Sequence, residues 1–451
     1  MADTPHFLPP QLPLGAVSEL AIDTPLHFRH RASWWVAFAI GCALLGLFFL
    51  AVGNLLLRGV GIFGNNNSVN WGLPILNYMW WLGIGHAGTF ISALLLLIDR
   101  PWRNSLNRLA ELMTLLAVIC AGIFPILHLG RPWLFYWSAP YPATMDVWPQ
   151  FRSPTAWDFF AVLAYLLFSL LFLYVGAIPD FACARDRATR RVQQVVFGLL
   201  ALGWRGASSH WVRWRRCYRF LALLAVPLVF AVSSSYSFLL ALGDPSGWHS
   251  TVFPPYFVAG AVFSGFALVA IIACSVRHLL HFETLITPRH LDMLGKLLLA
   301  TGLMTAYGYV ADIFVAFYSG RHHEILVTQA RLGGYTAWSF WLAILCNVVI
   351  LQALWSRRVR TRPRLLCLVS AAVLVGMWCE RYMLIVTPET HPHMPSMSSE
   401  AYLPTVWDWA LLAGTFGLFL VPLLLFIRFV PMVSAMEVKE VLHRYRGGED
   451  G

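Results

Sequence analysis

A chain of 451 residues that is 58% hydrophobic and only 12% charged differs from soluble domains, which carry about 25% charged residues. This composition excludes a soluble enzyme and describes a chain whose main solvent is lipid. A net charge of +10 then reads as membrane topology plus attraction to anionic lipid, with no nucleic-acid partner expected.

Apolar runs long enough to cross a hydrocarbon core, which takes about 20 helical residues, begin near Ser33, Trp71, Asn107, Pro154, Tyr218, Pro255, Leu291, Tyr335, Leu365 and Tyr402. They are too long for barrel strands of about 10 alternating residues. The expected fold is therefore all-α and integral to the membrane, with ten transmembrane helices. With the N-terminus inside, 26 of the Lys and Arg residues fall in inner segments and five in outer ones. The positive-inside rule then makes both termini cytoplasmic, in a multi-pass protein of the cell's inner membrane. The first 32 residues are polar and proline-rich, without the basic-then-apolar pattern of a leader, so no cleaved signal is expected. Eight cysteines are scattered, none in a Cys-x-x-Cys pair and none in an expected outer loop. Disulfides, a cluster, a covalently bound haem and a metal of the chain's own are all unexpected.

In chain order, a first helix from Ser33 to Leu57 leads to a Gly/Asn-rich outer loop, Gly59 to Asn70. The second, Gly72 to Ile98, carries His86 between the small residues Gly85, Ala87 and Gly88. That histidine reads either as a hydrogen bond to a neighbouring helix, reached through close small-residue packing, or as a proton-path group. No second histidine stands at haem-ligand spacing. The third helix, Leu109 to Leu127, ends at His128, with Pro125 expected to kink it and Pro132 to follow its end.

An aromatic, proline-rich outer loop follows, Gly130 to Ser153, containing Arg131, Trp133, Asp146 and Arg152. Part of it is an interfacial aromatic belt, which does not account for its charges. The fourth helix enters at Pro154 and places Asp158 about one turn inside the membrane. Intramembrane acids are costly and generally face a bundle interior or a wet cavity. His128 and Asp158 stand at similar depth on adjacent antiparallel helices, so both are expected to face one cavity below the outer surface, or to bond each other as a helix tie. The segment from Asp180 to Arg219 reads as a solvated basic loop. The fifth helix, Phe220 to Leu242, brings Ser233 to Ser237, with Tyr236, to the outer third.

After the sixth helix, Pro255 to Cys274, the seventh carries Lys296, Tyr307, Tyr309 and Asp312. This ladder is a proton path or a structural polar seam. The eighth helix runs from Tyr335 to Trp355. The ninth, Leu365 to Val386, contains Glu380 and Arg381, each expected to have its partner on another helix. The crossing order permits two parallel four-helix units, helices 2–5 (residues 71–243) and 6–9 (residues 244–386). They would be flanked by the first helix with its loop (33–70) and by a last segment (387–451), after a cytoplasmic segment at 1–32. His391, His393, Met394 and Met397 in the outer loop are weak metal candidates.

The run HLGRPW at His128 to Trp133, followed by SPTAWD at Ser153 to Asp158, resembles the signature of the polysulfide reductase membrane subunit family, called NrfD or PsrC. The longer match, FPILHLGRPW, YWSAPYP, WPQFRSP and WDFFAV with the distal LIVTPETHPHMPSMSSEAYLPTVWDW, is most similar to ActC-type quinol-binding membrane subunits of alternative complex III. The resemblance covers essentially the whole chain. It implies a respiratory quinol:electron-acceptor oxidoreductase complex in which this chain binds menaquinol or ubiquinol near the outer face. Electrons would pass to an iron–sulfur subunit on that face and then to c-type cytochrome subunits carrying haem c, alongside a second NrfD-like membrane subunit.

Quinol oxidation needs positioned proton acceptors. His128 and Asp158 are the expected catalytic pair. Arg131 is expected to hold a loop carboxylate such as Asp146 or a quinone carbonyl. Arg152, Trp133 and Tyr236 complete the expected binding set. His86, Lys296, Tyr307, Tyr309, Asp312 and Glu380 are the expected proton-path residues. Two other readings stand beside this one: a proton-translocating subunit without a redox substrate, and a structural anchor of the ActF type.

Overall fold

Ten helices among the described residues are long and apolar enough to cross a membrane, as the composition demands. The structure is a computed structural model that describes residues 7–9, 11–27, 32–138, 154–242, 248, 252–391 and 400–447. The spans are α1 (Ala32–Arg58), α2 (Gly72–Leu97), α3 (Asn107–His128), α4 (Pro154–Arg187) and α5 (Ser208–Ala241). They continue with α6 (Phe253–Leu279), α7 (Pro288–Tyr318), α8 (Ala337–Trp355), α9 (Pro363–Glu389) and α10 (Val406–Phe429). No strand occurs among the described residues, since unpaired backbone groups in lipid leave helices or closed barrels as the only spanning forms.

The expected basic loop is mostly helix instead. α4 runs on to Arg187, a short helix occupies Arg191–Leu200, and α5 begins at Ser208, twelve residues before the expected start. Arginine stems are long and apolar enough to lie along a membrane surface while their heads stay wet, so charge there does not end a helix.

Contacts between spans arrange α2 to α5 in one closed ring and α6 to α9 in another. α2 packs on α5, α6 and α9, α6 also meets α5, and α1 packs chiefly on α10. α2 is thus the central element, its apolar stretch 78% buried. Two glycines fix helix ends near the loops before α2 and after α3. Gly72, at φ +45°, opens α2 where any side chain would strike the Tyr402 hydroxyl and Asn65. Tyr402 in turn accepts the Leu73 N–H at 2.8 Å. Burial and the nearby Asp408 push the Tyr402 hydroxyl above its ordinary range. Gly130, at φ +69°, follows the last turn of α3 and lies against Val60; its N–H returns to the Leu127 carbonyl at 3.0 Å. A left-handed glycine just past a helix end, with proline soon after, is a common stop. The Gly and Pro of HLGRPW are thereby accounted for by backbone geometry.

At the face where α3 and α5 begin, called here the arginine-rich face, the N-terminal segment and the C-terminal helix Ala435–Gly447 close over the bundle. Val17, Ala21 and Ile22 are fully buried there, and Arg446 donates to the Leu12 carbonyl at 2.7 Å. Beneath them runs a buried polar network. Arg103 pairs with Glu437 at 3.1 Å and donates to the Tyr218 hydroxyl at 2.8 Å. Tyr218 donates to Glu111 at 2.7 Å, and Ser92 donates to the same carboxylate at 2.5 Å. Arg108 pairs with Asp180 at 2.9 Å, so Asp180 is buried rather than solvated. Burial works against the charge on Arg103, but Glu437, Tyr218 and Glu111 outweigh it and hold the guanidinium more firmly protonated than usual.

Candidate functional site

At the opposite face, three polar side chains reach the same depth from three helices. Asp158 lies four residues into α4, Tyr78 six residues into α2, and Tyr236 five residues before the end of α5. At 1.5 Å per residue these offsets are roughly 6, 9 and 7.5 Å from the helix ends. The Tyr78 hydroxyl donates to Asp158 Oδ1 at 2.5 Å, and the Tyr78 and Tyr236 rings meet edge to face at 5.2 Å. Both tyrosines are buried. Tyr236 lies against Phe257, with ring centroids 5.6 Å apart, and the Arg381 guanidinium sits 4.1 Å above that same ring.

Asp158 also borders an apolar cavity of about 550 Å³ between α3 and α4. Ile119, Gly122, Pro125 and Leu129 form the α3 wall, and Phe159, Val162 and Leu166 the α4 wall. This volume lies within the usual range of small-molecule sites, roughly 300–1,000 Å³, which combine apolar walls with few polar anchors. Pro125 has no N–H, so it leaves the Ala121 carbonyl without its helical donor; the helix nonetheless continues through it to His128. Tyr78 engages Oδ1 of this carboxylate.

His128 stands at the same end of the bundle, and its Nδ1 is buried without a hydrogen-bond partner among the described residues. It is not in the wall of this cavity. On the 3.6-residue period of α3 it shares the face of Phe124 and Ala121, both fully buried, whereas the cavity face runs through Gly122, Pro125 and Leu129. Of the two expected arrangements, a shared cavity or a direct tie, neither is seen among the described residues: His128 is outside the cavity wall, and the hydrogen bond to Asp158 comes from Tyr78. Arg131 and Trp133 are exposed in the loop after α3. Asp146 and Arg152 lie outside the described residues, as do His393, Met394 and Met397.

His86 is fully buried, but neither ring nitrogen has a hydrogen-bond partner among the described residues. The expected tie to a neighbouring helix is made by other groups. Tyr165 donates to the Gly85 carbonyl at 3.0 Å, Thr114 donates to the same carbonyl at 2.8 Å, and His86 meets the Tyr165 ring at 5.3 Å.

The second four-helix ring holds its own polar centre. Tyr309 of α7 donates to Glu380 of α9 at 2.6 Å and accepts from Asn347 of α8 at 2.8 Å. Asn347 lies in a π-helical turn, Leu345–Val349, a distortion that recurs at functional positions in helices. Glu380 and Arg381 each find the expected partner on another helix, Tyr309 of α7 for Glu380 and the Phe257 ring of α6 for Arg381, and their own side chains also approach each other at 3.0 Å.

Only part of the expected ladder on α7 joins this centre. Asp312 pairs with Arg331 at 2.8 Å. Tyr307 is 75% exposed, two residues from Tyr309 and so on the far side of the helix. Lys296 pairs with Asp292 at 2.9 Å at the arginine-rich end. Neither Tyr307 nor Lys296 belongs to the polar centre. Sequence reasoning missed Tyr78, Glu111, Asn347 and Glu437. Tyr78 could have been found from its depth, which matches that of Asp158; Glu437 sits in a tail that gave no signal. Among the described residues no group of three metal-ligating side chains occurs.

The family model described as polysulphide reductase, NrfD, matches residues 61–391 of this chain. A selenate reductase subunit of Mesobacillus selenatarsenatis is 21% identical over 421 residues, 90% of this chain and 95% of the relative. A putative dimethyl sulfoxide reductase membrane subunit of Halobacterium salinarum is 26% identical over 331 residues, covering 72% and 70%. The Hdr-like menaquinol oxidoreductase integral membrane subunit of Archaeoglobus fulgidus is 21% identical over 403 residues, covering 85% and 90%.

Proposed function

Since this chain belongs to the polysulphide reductase NrfD family and is a membrane subunit of an oxidoreductase complex, we propose that it is the quinol-reactive subunit of that complex. The observation that carries the reading is Asp158. An intramembrane carboxylate, anchored by Tyr78 at 2.5 Å, borders an apolar cavity of about 550 Å³. The name of the archaeal menaquinol oxidoreductase relative supports the substrate class. The narrower assignment to a complex of the alternative complex III kind rests on the sequence motifs.

The chemistry follows from the arrangement. A lipid-borne quinol enters between α3 and α4, where the walls match its ring and tail. One hydroxyl donates to the Asp158 carboxylate. Its proton is held tightly until electrons leave and is then released readily, so a positioned acceptor lowers the barrier. Asp158 takes it, and the Tyr78 hydroxyl stabilises the carboxylate that is ready to accept. His128 stands at the same end but on another face of α3, outside the cavity wall, so Asp158 is the polar group that meets the ring here. Electrons leave to a partner subunit on the outer face, proposed as an iron–sulfur protein that feeds c-type haems.

Purified complex tests this through quinol oxidation and bound-quinone content. Asp158→Asn should abolish most turnover while leaving assembly intact. Unchanged turnover in an assembled complex would instead assign the chain a structural, ActF-like place.

A further inference from the structure

A second built cavity lies at the arginine-rich end, between the inner ends of α4 and α5. It has a volume of about 320 Å³ and is walled by Val175, Ile178, Trp204, Trp214 and Cys217, with His210 and Arg213 beside them. The wall is held in place by its own hydrogen bonds. Trp214 Nε1 donates to the Val175 carbonyl at 2.8 Å, and Arg185 donates to the Trp204 carbonyl at 3.0 Å. The turn beneath it holds two consecutive left-handed residues, Leu202 at φ +46° and Gly203 at φ +73°. Leucine in that region is strained, and the turn holds this side chain 68% exposed as part of the cavity wall.

The polar groups form a matching pair. His210 and Arg213 are three apart on α5 and so share a face. The Arg205 N–H donates to His210 Nδ1 at 3.3 Å, which places the proton of a neutral ring on Nε2, free to donate outward. Arg213 makes no ion pair among the described residues. Between Arg185 and Arg219 there are nine arginines and one acid, Asp186, and that acid is engaged by Arg185.

The neighbouring helix Arg191–Leu200 sets the level. Val192 is 74% and Leu199 72% exposed, while Arg190 and Arg191 stand at its start. A short helix with one exposed apolar side and basic flanks lies in the plane of a membrane surface. The cavity beside it is therefore at headgroup depth, with cations outside and apolar walls continuing along the spans.

We propose that this cavity is a binding site for one acidic phospholipid of the inner leaflet. Its phosphate lies on Arg213 and His210 Nε2, and an acyl chain runs past Val175, Ile178 and Cys217. Such a lipid would fasten the arginine-rich ends of α4 and α5 together, independently of the quinol chemistry at the other face.

The test uses the full chain, purified in detergent and examined by native mass spectrometry with added phosphatidylglycerol or phosphatidylcholine of identical chains. Phosphatidylglycerol should be retained preferentially. Arg213→Gln should weaken its retention about fivefold, the weight of one arginine at an anionic surface. Cys217→Trp, which fills the cavity, should weaken retention of the same lipid. A photoreactive phosphatidylglycerol on the unaltered chain should label residues 175–217, a readout that needs no variant. Equal retention of the two lipids, insensitivity to both substitutions, or labelling elsewhere would overturn the proposal. So would full displacement by millimolar inorganic phosphate, which would mark a free-anion site instead.

Discussion

Tyr78→Phe isolates the interaction on which the proposed chemistry turns. The substitution keeps the ring, its edge-to-face contact with Tyr236 at 5.2 Å and its burial, and removes one hydroxyl. That hydroxyl donates to Asp158 at 2.5 Å with both groups at the membrane's polar end. A hydrogen bond to a charged group is worth about 1.5–3 kcal/mol net, and each 1.36 kcal/mol is tenfold in rate. If the bond supports the carboxylate during proton acceptance, kcat/KM for quinol should fall about 10- to 150-fold. The assay is oxidation of a short-tailed quinol by the intact complex with an artificial electron acceptor. The double variant with Asp158→Asn supplies the sharper measurement. A hydroxyl that acts only through Asp158 has nothing left to do once the carboxylate is gone, so the two losses should not add. Activity of Tyr78→Phe within twofold of the unaltered complex, or full additivity in the double variant, would rule out a supporting role for this hydroxyl.

Three further outcomes follow from packing and pairing. Gly88→Ala drives a Cβ into the Ala110 carbonyl oxygen and the Thr114 hydroxyl; overpacking of this kind costs about 1–3 kcal/mol and should lower the unfolding temperature in detergent, with Gly53→Ala, where nothing lies within 4 Å, as the neutral control. Glu437→Gln strands the buried Arg103, a loss of about 3–5 kcal/mol for one partner of a buried pair, visible as faster proteolysis of the C-terminal helix; resistance equal to that of the unaltered chain would count against the network. Tyr309→Phe breaks bonds to Glu380 and Asn347 and should destabilise by about 1–3 kcal/mol, whereas Tyr307→Phe, at an exposed position, should stay within about 0.5 kcal/mol; thermal unfolding of the pair settles their order.

The spans were legible because a hydrocarbon core demands long apolar runs, and all ten are found in the structure. Asp158 was legible for the complementary reason: a charge is costly one turn inside a membrane, so its presence asks for an explanation. Tyr78 gave a weaker signal: its depth matches that of Asp158, but an isolated tyrosine in an apolar helix is cheap and common, and its role stands out once α2 is seen as the centre of the packing. The basic segment misled because composition there suggests solvent, while arginine stems can lie along a membrane surface within continuous helix. The α7 ladder failed through geometry available in the sequence itself: Tyr307 and Tyr309 are two apart, about 200° around a helix, and cannot both face one bundle interior. Glu380 and Arg381 were legible as groups that need partners on other helices, and Tyr309 and Phe257 supply them. His128 was located correctly in depth but not in azimuth, because the face it occupies depends on which side of α3 meets α4.

Whether Asp158 accepts a proton from quinol is decided most directly by quinol oxidation in the intact complex carrying Asp158→Asn, with subunit composition verified. A lost general base typically costs 10²- to 10⁴-fold, so turnover should fall by about 100-fold or more in a fully assembled complex. Turnover within twofold of the unaltered complex would contradict a proton-accepting Asp158, and would leave the Tyr78–Asp158 bond as a helix tie in a subunit that reacts with quinol elsewhere or not at all.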